Sequence, residues 1–145
     1  LVASCDMAVA AENVRFGVNG INIGLFCATP MVALTRAIPP RAAFEMLVTG
    51  EFIDAQRARE LGLVNRVVPH ETLMDEAMET ASQIAAQPPQ ALRMAKTLLR
   101  QGRDMNFDQM LELSAAMQAL AHLTDDHIEG VTAVLEKRSG EFTGR

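Results

Sequence analysis

The stretch TGEFIDAQRARELGLVNRVVP (49–69) constrains the fold most tightly, because its start and stop signals leave the chain few options. Phe52 and Ile53 are bulky residues that favour an extended backbone. Asp54 follows, and its short carboxylate can accept a hydrogen bond from the first free N–H groups of a helix, so it reads as an N-cap. Two turns of helix-forming residues lead to Gly62, which can adopt the left-handed conformation that closes a helix. LVNRVV then reads as a strand closed by Pro69, a residue with no N–H to continue a ladder. The segment predicts a strand, a short helix and a second strand, a hairpin-like unit beside a larger body.

Similar punctuation divides the rest. DMAVAA (6–11) reads as a strand and RFGV (15–18) as a second extended piece. ATPMVALTRAI (28–38) has helical spacing and stops at Pro39-Pro40. Pro40 can occupy the first turn of the next helix, RAAFEMLVTG, which Gly50 ends. From residue 71 onward the chain is helical. Leu73, Ala77, Met78, Ala81, Ile84 and Ala85 share one face, and Pro88-Pro89 breaks that helix. QALRMAKTLLRQ makes another, ending at Gly102, and Asn106 with Gln109 gives a capping-box start to the next. That helix is expected to bury Phe107, Met110, Leu111, Ser114, Met117 and Ala121. The last helix carries Asp125 and Asp126 in its first turn and Lys137 and Arg138 in its last, which suits the helix dipole, and Gly140 is expected to end it.

A chain of 145 residues suits one domain or a large piece of one, and 49% apolar residues suffice for a core. Thirteen basic against 18 acidic residues, net −5, with no run of like charge, argues against a nucleic-acid binder. No apolar stretch reaches the length of a membrane span. Cys5 and Cys27 are too few for a disulfide framework and read as reduced residues of a core. The N-terminus lacks a signal-peptide pattern and an initiator Met. LVASCDMAVA begins as if inside an element, so residue 1 is expected to be an interior cut.

Candidate chemistry is sparse. His122 and His127 are five residues apart and are not expected to stack as an i, i+4 pair would, and with His70 they form no metal-ligand pattern. Ser4 lies in no nucleophile-elbow context. FGVNGINIGLFCATP (16–30) contains three glycines and no acid, base or histidine, and its glycine spacing matches neither a dinucleotide fingerprint nor a P-loop. Either its glycines allow close packing of a buried turn, or it is a pocket wall that meets a ligand with main chain and small residues. Composition leaves both open.

In order along the chain, SCD-x-x-x-A, FG, I-x-I-G, LTRAI and TGEFIDAQRARELGLVNRVVP resemble the crotonase family, the enoyl-CoA hydratases and isomerases. Residues 49–69 are the most specific part, EKR at 136–138 resembles the family's C-terminal helix, and similarity runs over essentially all 145 residues. GLFCATP (24–30) further resembles a branch of enoyl-CoA hydratase domain-containing proteins. The resemblance implies an α/β fold: residues 1–70 as the C-terminal part of a crotonase-like ββα spiral, residues 71–145 as a helical trimerisation region. It implies an acyl-CoA thioester as ligand, no cofactor beyond the CoA of the substrate, and a homotrimer or hexamer. A bacterial cytoplasm or a mitochondrial matrix is the implied location. The shared device is a pair of backbone N–H groups that stabilise a thioester enolate.

Departures from the family pattern shape the expected chemistry. The first catalytic glutamate and both oxyanion donors align before Leu1, so the catalytic residues are unknown and these 145 residues alone are expected to be catalytically silent. The second glutamate belongs in FG-x-P-E-I, which here reads Phe16-Gly17-Val18-Asn19-Gly20-Ile21, so Gly20 stands in its place. Hydration needs a carboxylate to activate water and an acid to protonate carbon, and glycine is neither. Asn22 is a candidate to orient water or substrate, and Phe26 to line the acyl or pantetheine path. The resemblance carries Lys137 over as a contact to the CoA phosphates, while a lysine serving only the helix dipole remains the alternative. A non-catalytic acyl-CoA-binding or assembly subunit is the second reading of the whole.

Overall fold

The computed structural model describes all residues, Leu1–Arg145. They form two compact units, Leu1–Glu79 and Thr80–Arg145.

In the first unit, strand β1 (Val9–Ala11) pairs with a strand far along the chain, and β2 (Arg15–Phe16) leads into the glycine loop. Helices α1 (Ala28–Ala37) and α2 (Pro40–Thr49) follow, then β3 (Ile53–Asp54), α3 (Ala55–Glu60) and β4 (Arg66–Val68). The start and stop signals act as the sequence predicts. The Asp54 carboxylate accepts the Arg57 N–H at 2.7 Å, Pro40 opens α2, and Gly50 and Gly62 close their helices at φ 65° and 81°.

The expected strand–helix–strand hairpin is corrected. β3 runs antiparallel to β2, with Phe16 opposite Ile53, while β4 runs parallel to β1, with Ala10 opposite Val67. The two strands flanking α3 therefore belong to different ladders. The Asn65 side-chain oxygen accepts the Ala8 N–H at 2.9 Å and the Asn65 backbone N–H donates to the Ala8 carbonyl at 2.8 Å, which extends the β1–β4 pairing and fixes its register. Parallel neighbours require a long crossover, and here that crossover carries three helices, α1 to α3, and the other ladder.

Beneath the ladders lies a core of Ala10, Leu34, Ile38, Ala43, Met46, Ala55, Ala58, Leu63 and Val64. Ala43 with Met46 and Ala55 with Ala58 are i, i+3 pairs, one inward face of α2 and one of α3. Three of these are fully buried alanines, which let the backbones approach closely.

Helix α4 (Leu73–Ala85) spans the division, and α5 (Pro89–Gln101), α6 (Phe107–Ala121) and α7 (Asp125–Glu136) build the second unit. The capping box at Asn106 and Gln109 forms in both directions. The expected burial of the apolar faces is corrected. Phe107 is 75% exposed and Leu111, Met78 and Ile84 are exposed, while Met110, Ser114, Met117 and Ala121 are only half-buried. Periodicity identifies which residues share a face, but not whether anything covers it.

Three smaller expectations also change. α7 ends at Glu136, and Lys137 takes the left-handed closing position expected of Gly140, so Lys137 and Arg138 lie beyond the helix rather than in its last turn. Cys5 is exposed and Cys27 half-buried, so neither is a core residue, although both are free thiols. The His122 and His127 rings do stack, with centroids 4.6 Å apart, because the α6–α7 turn reverses the chain between them. No group of three or more His, Cys, Asp or Glu gathers in a metal-binding arrangement. No helix is long and apolar enough to cross a membrane.

Candidate functional site

The glycine loop leaves β2 and forms a 3₁₀ turn over Asn19–Ile23, closed by Gly24 at φ 76°. Gly24 N–H donates to the Ile21 carbonyl at 3.0 Å and Leu25 N–H to the Gly20 carbonyl at 2.9 Å. Its apolar side chains are not buried: Ile23 and Leu25 are exposed and Phe26 is 77% exposed. Of the buried-turn reading, the close packing at the glycines is present, Gly17 against Phe52 and Gly20 against Cys27, but the turn itself is not buried within this chain. The loop presents an apolar, uncharged surface built on main chain.

Gly20, Asn22 and Phe26 sit together in this loop. A Cβ added at Gly20 would collide with the Cys27 Sγ and lie 3.4 Å from the Leu25 Cβ. The thiol thus occupies the room that a side chain at position 20 would need. Asn22 packs its amide against α2: a Cβ added at Gly50 would lie 2.5 Å from Asn22 Oδ1, so glycine at 50 serves close approach as well as a left-handed φ. Cys27 and Gly50 are neighbours that sequence reasoning did not find, because each contact joins residues separated along the chain by a helix or a turn. Chemically the loop offers dipoles and apolar surface, with no carboxylate or imidazole.

Lys137 belongs to the second unit, at the end of α7. Its backbone is left-handed, φ 57° and ψ 39°, and no other non-glycine residue has positive φ. Arg138, next in sequence, bridges two carboxylates: Nη2 lies 2.9 Å from Glu129 Oε2, and Nε 2.6 Å from Glu136 Oε2. Glu129 also accepts the Glu141 N–H at 2.9 Å. The Arg138 hydrogen bond, then that backbone N–H, pull the Glu129 carboxyl down to about 2, against a smaller opposing effect of burial, and Arg138 is raised in turn.

One turn earlier, Asp126 is 2% exposed and accepts the N–H of Thr143 at 2.7 Å and of Gly144 at 2.8 Å. Asp126 and Glu129, at i, i+3 on one face, hold residues 139–145 back along the helix. Both were legible only as part of an acidic helix start. A cleft of about 420 Å³ bounded by Val131, Val134, Leu135 and Phe142 lies in this unit and includes no loop residue. The oxygens of Asp126, its one acidic lining residue, are already taken by the tail.

Comparisons with known proteins give this geometry a family. The family model described as Enoyl-CoA hydratase/isomerase matches residues 1–145. The chain belongs to that family. A relative from Homo sapiens, enoyl-CoA hydratase domain-containing protein 3, mitochondrial, is 44% identical over 140 residues, covering 95% of this chain and 46% of the relative. The 2,3-dehydroadipyl-CoA hydratase of Escherichia coli K12 is 36% identical over 146 residues, covering 100% of this chain and 57% of its own length. Among solved structures, an enoyl-CoA hydratase from Mycobacterium smegmatis superimposes with a TM-score of 0.93 at 46% identity, covering 97% of this chain and 55% of that one. The crotonase-like α/β fold expected from residues 49–69 is therefore the fold of this family member. The chain spans about half the length of the curated relatives it matches.

Proposed function

We propose that the protein carrying this chain acts on acyl-CoA thioesters, holding the thioester oxygen with backbone N–H groups as negative charge gathers on it, and that it does not hydrate by a two-glutamate route. The observation that carries this reading is Gly20, with the Cys27 thiol filling the space beside it. Adding water across a double bond requires a base for the water and an acid for the α-carbon. Asn19 and Asn22 do not exchange protons near neutral pH. What remains for this loop is electrostatic: uncharged apolar walls strengthen nearby dipoles, and one backbone donor of this kind is worth about 10²–10³ in rate. Phe26 lines the acyl or pantetheine path in this reading, and Lys137 meets a CoA phosphate. No cofactor beyond the CoA of the substrate is required.

A second reading, a non-catalytic acyl-CoA-binding or assembly subunit, is favoured by the uncovered apolar residues of the second unit, Phe107, Leu111, Leu120 and Leu123 among them. In both readings these are the surfaces on which copies associate, as a trimer or hexamer. Deuterium exchange at the α-carbon of butyryl-CoA, followed in the full-length protein, separates the two. Exchange above the buffer rate supports enolate chemistry. Tight binding with no exchange would overturn it in favour of the binding subunit.

A further inference from the structure

Three helical segments end in the same hydrogen-bond pattern, and only one of them lacks glycine. After the loop's 3₁₀ turn, Gly24 N–H reaches back three residues and Leu25 N–H five. After α3, Gly62 N–H bonds the Arg59 carbonyl at 3.0 Å and Leu63 N–H the Ala58 carbonyl at 2.8 Å. After α7, Lys137 N–H bonds the Val134 carbonyl at 3.3 Å and Arg138 N–H the Ala133 carbonyl at 3.0 Å. In each case the first donor is left-handed, a position that glycine fills without steric cost and a residue with a Cβ does not. Lysine at 137 is thus held against its own backbone preference. Backbone held in this way calls for surroundings that over-determine it.

Those surroundings are visible. The residue after Lys137 is tied back to α7 by Arg138 on Glu129 and to the helix end by Arg138 on Glu136. Four residues on, the Glu141 N–H binds the same Glu129 carboxylate. The Lys137 side chain takes no part in these ties and is exposed, beside an arginine whose charge is already matched. A lysine serving only the helix dipole needs none of this, since the dipole acts on any cation in the last turn.

We infer that Glu129, acting through Arg138 and the Glu141 N–H, is a positioning residue that fixes the left-handed turn at Lys137 and so aims its ammonium at a phosphate of the ligand. The inference rests on the reading of the protein as a binder of CoA thioesters. It adds that the aim of Lys137 is set by a carboxylate that never touches the ligand.

The test compares butyryl-CoA with butyryl-pantetheine, which lacks every phosphate, by calorimetry on the full-length protein. Glu129→Gln is expected to weaken butyryl-CoA binding about fivefold to tenfold and leave butyryl-pantetheine unchanged, which also reports intact folding. Lys137→Gly is expected to do the same, and the double variant no more than either alone, because coupled residues are not additive. An unchanged preference for CoA in Glu129→Gln, with the preference lost in Lys137→Gly, would overturn the positioning role while leaving the ligand reading intact. Equal loss of both thioesters in Glu129→Gln would make Glu129 merely structural and overturn it too. Failure of the unaltered protein to bind either thioester would instead overturn the ligand reading, and this inference with it.

Discussion

In the first unit Leu34, Ile38, Met46, Leu63 and Val64 are buried together, with alanines where helices meet. In the second, Ala133 is the one apolar residue that is buried, and the most deeply buried side chain is the carboxylate of Asp126. One unit is held by apolar area withdrawn from water. The other is held locally, by caps, by i, i+3 carboxylates and by a tail tied to them, while its apolar stripes remain uncovered. Binary patterning looks alike in both halves, so the difference lies in what surrounds each stripe rather than in the stripe itself.

The largest expected effect contrasts the two directly. Met46 is 4% exposed, so Met46→Ala should cost about 2–5 kcal/mol in urea unfolding. Leu111→Ala, on an exposed face, should cost about 0.5 kcal/mol or less in the same chain as a monomer. Similar losses at both positions would mean that the second unit has a core of its own.

Next comes the tail. Asp126→Asn removes a charged acceptor from two backbone N–H groups and should cost about 1.5–3 kcal/mol. Amide hydrogen exchange should speed up at Thr143 and Gly144 and stay unchanged across α1 to α3. Spread of the effect into the first unit would break the contrast.

A smaller effect has the opposite sign. Lys137→Gly relieves a left-handed lysine and should raise stability by about 1 kcal/mol, read as a shift in the urea midpoint with an unchanged slope. A loss of stability would show that the turn is not strained.

The pH dependence is smaller still, because Glu129 and Arg138 are solvent-screened. The folded pKa of Glu129 is depressed, to about 2 from 4.5, so its contribution is complete above about 4.5 and is lost as pH falls through about 2. Protection of the Glu141 amide should accordingly survive at pH 3, where ordinary glutamates are protonated. Release of that amide near pH 4.5 would mean that the Arg138 tie is absent in solution.

How much of this was legible follows the range of each interaction. Asp54 and Gly62 act within three residues of themselves, and the ends of α3 fall where they predict. The capping box at Asn106 is local in the same way. Strand partnership is not: β1 meets β4 across three helices, and nothing in LVNRVV says that its partner is Val9–Ala11 rather than Ile53. The loop's composition identified an uncharged surface, and the glycine at position 20 was visible by resemblance. That Cys27 fills the space beside it was not, since a side-chain collision leaves no trace in spacing. Lys137 stood out by family position, yet as a last-turn cation it read equally as a dipole partner. Only its positive backbone φ, which it shares with the glycines at 24 and 62, sets it apart from an ordinary last-turn lysine.

The role of Gly20 is tested most directly by water addition to crotonyl-CoA, followed by loss of enoyl absorbance in the full-length protein. Binding of crotonyl-CoA without turnover is expected, with turnover appearing in Gly20→Glu only when Cys27→Gly clears the space beside it. Rapid hydration by the unaltered protein would contradict the assignment, because a second proton-transferring group would then exist that this loop does not supply.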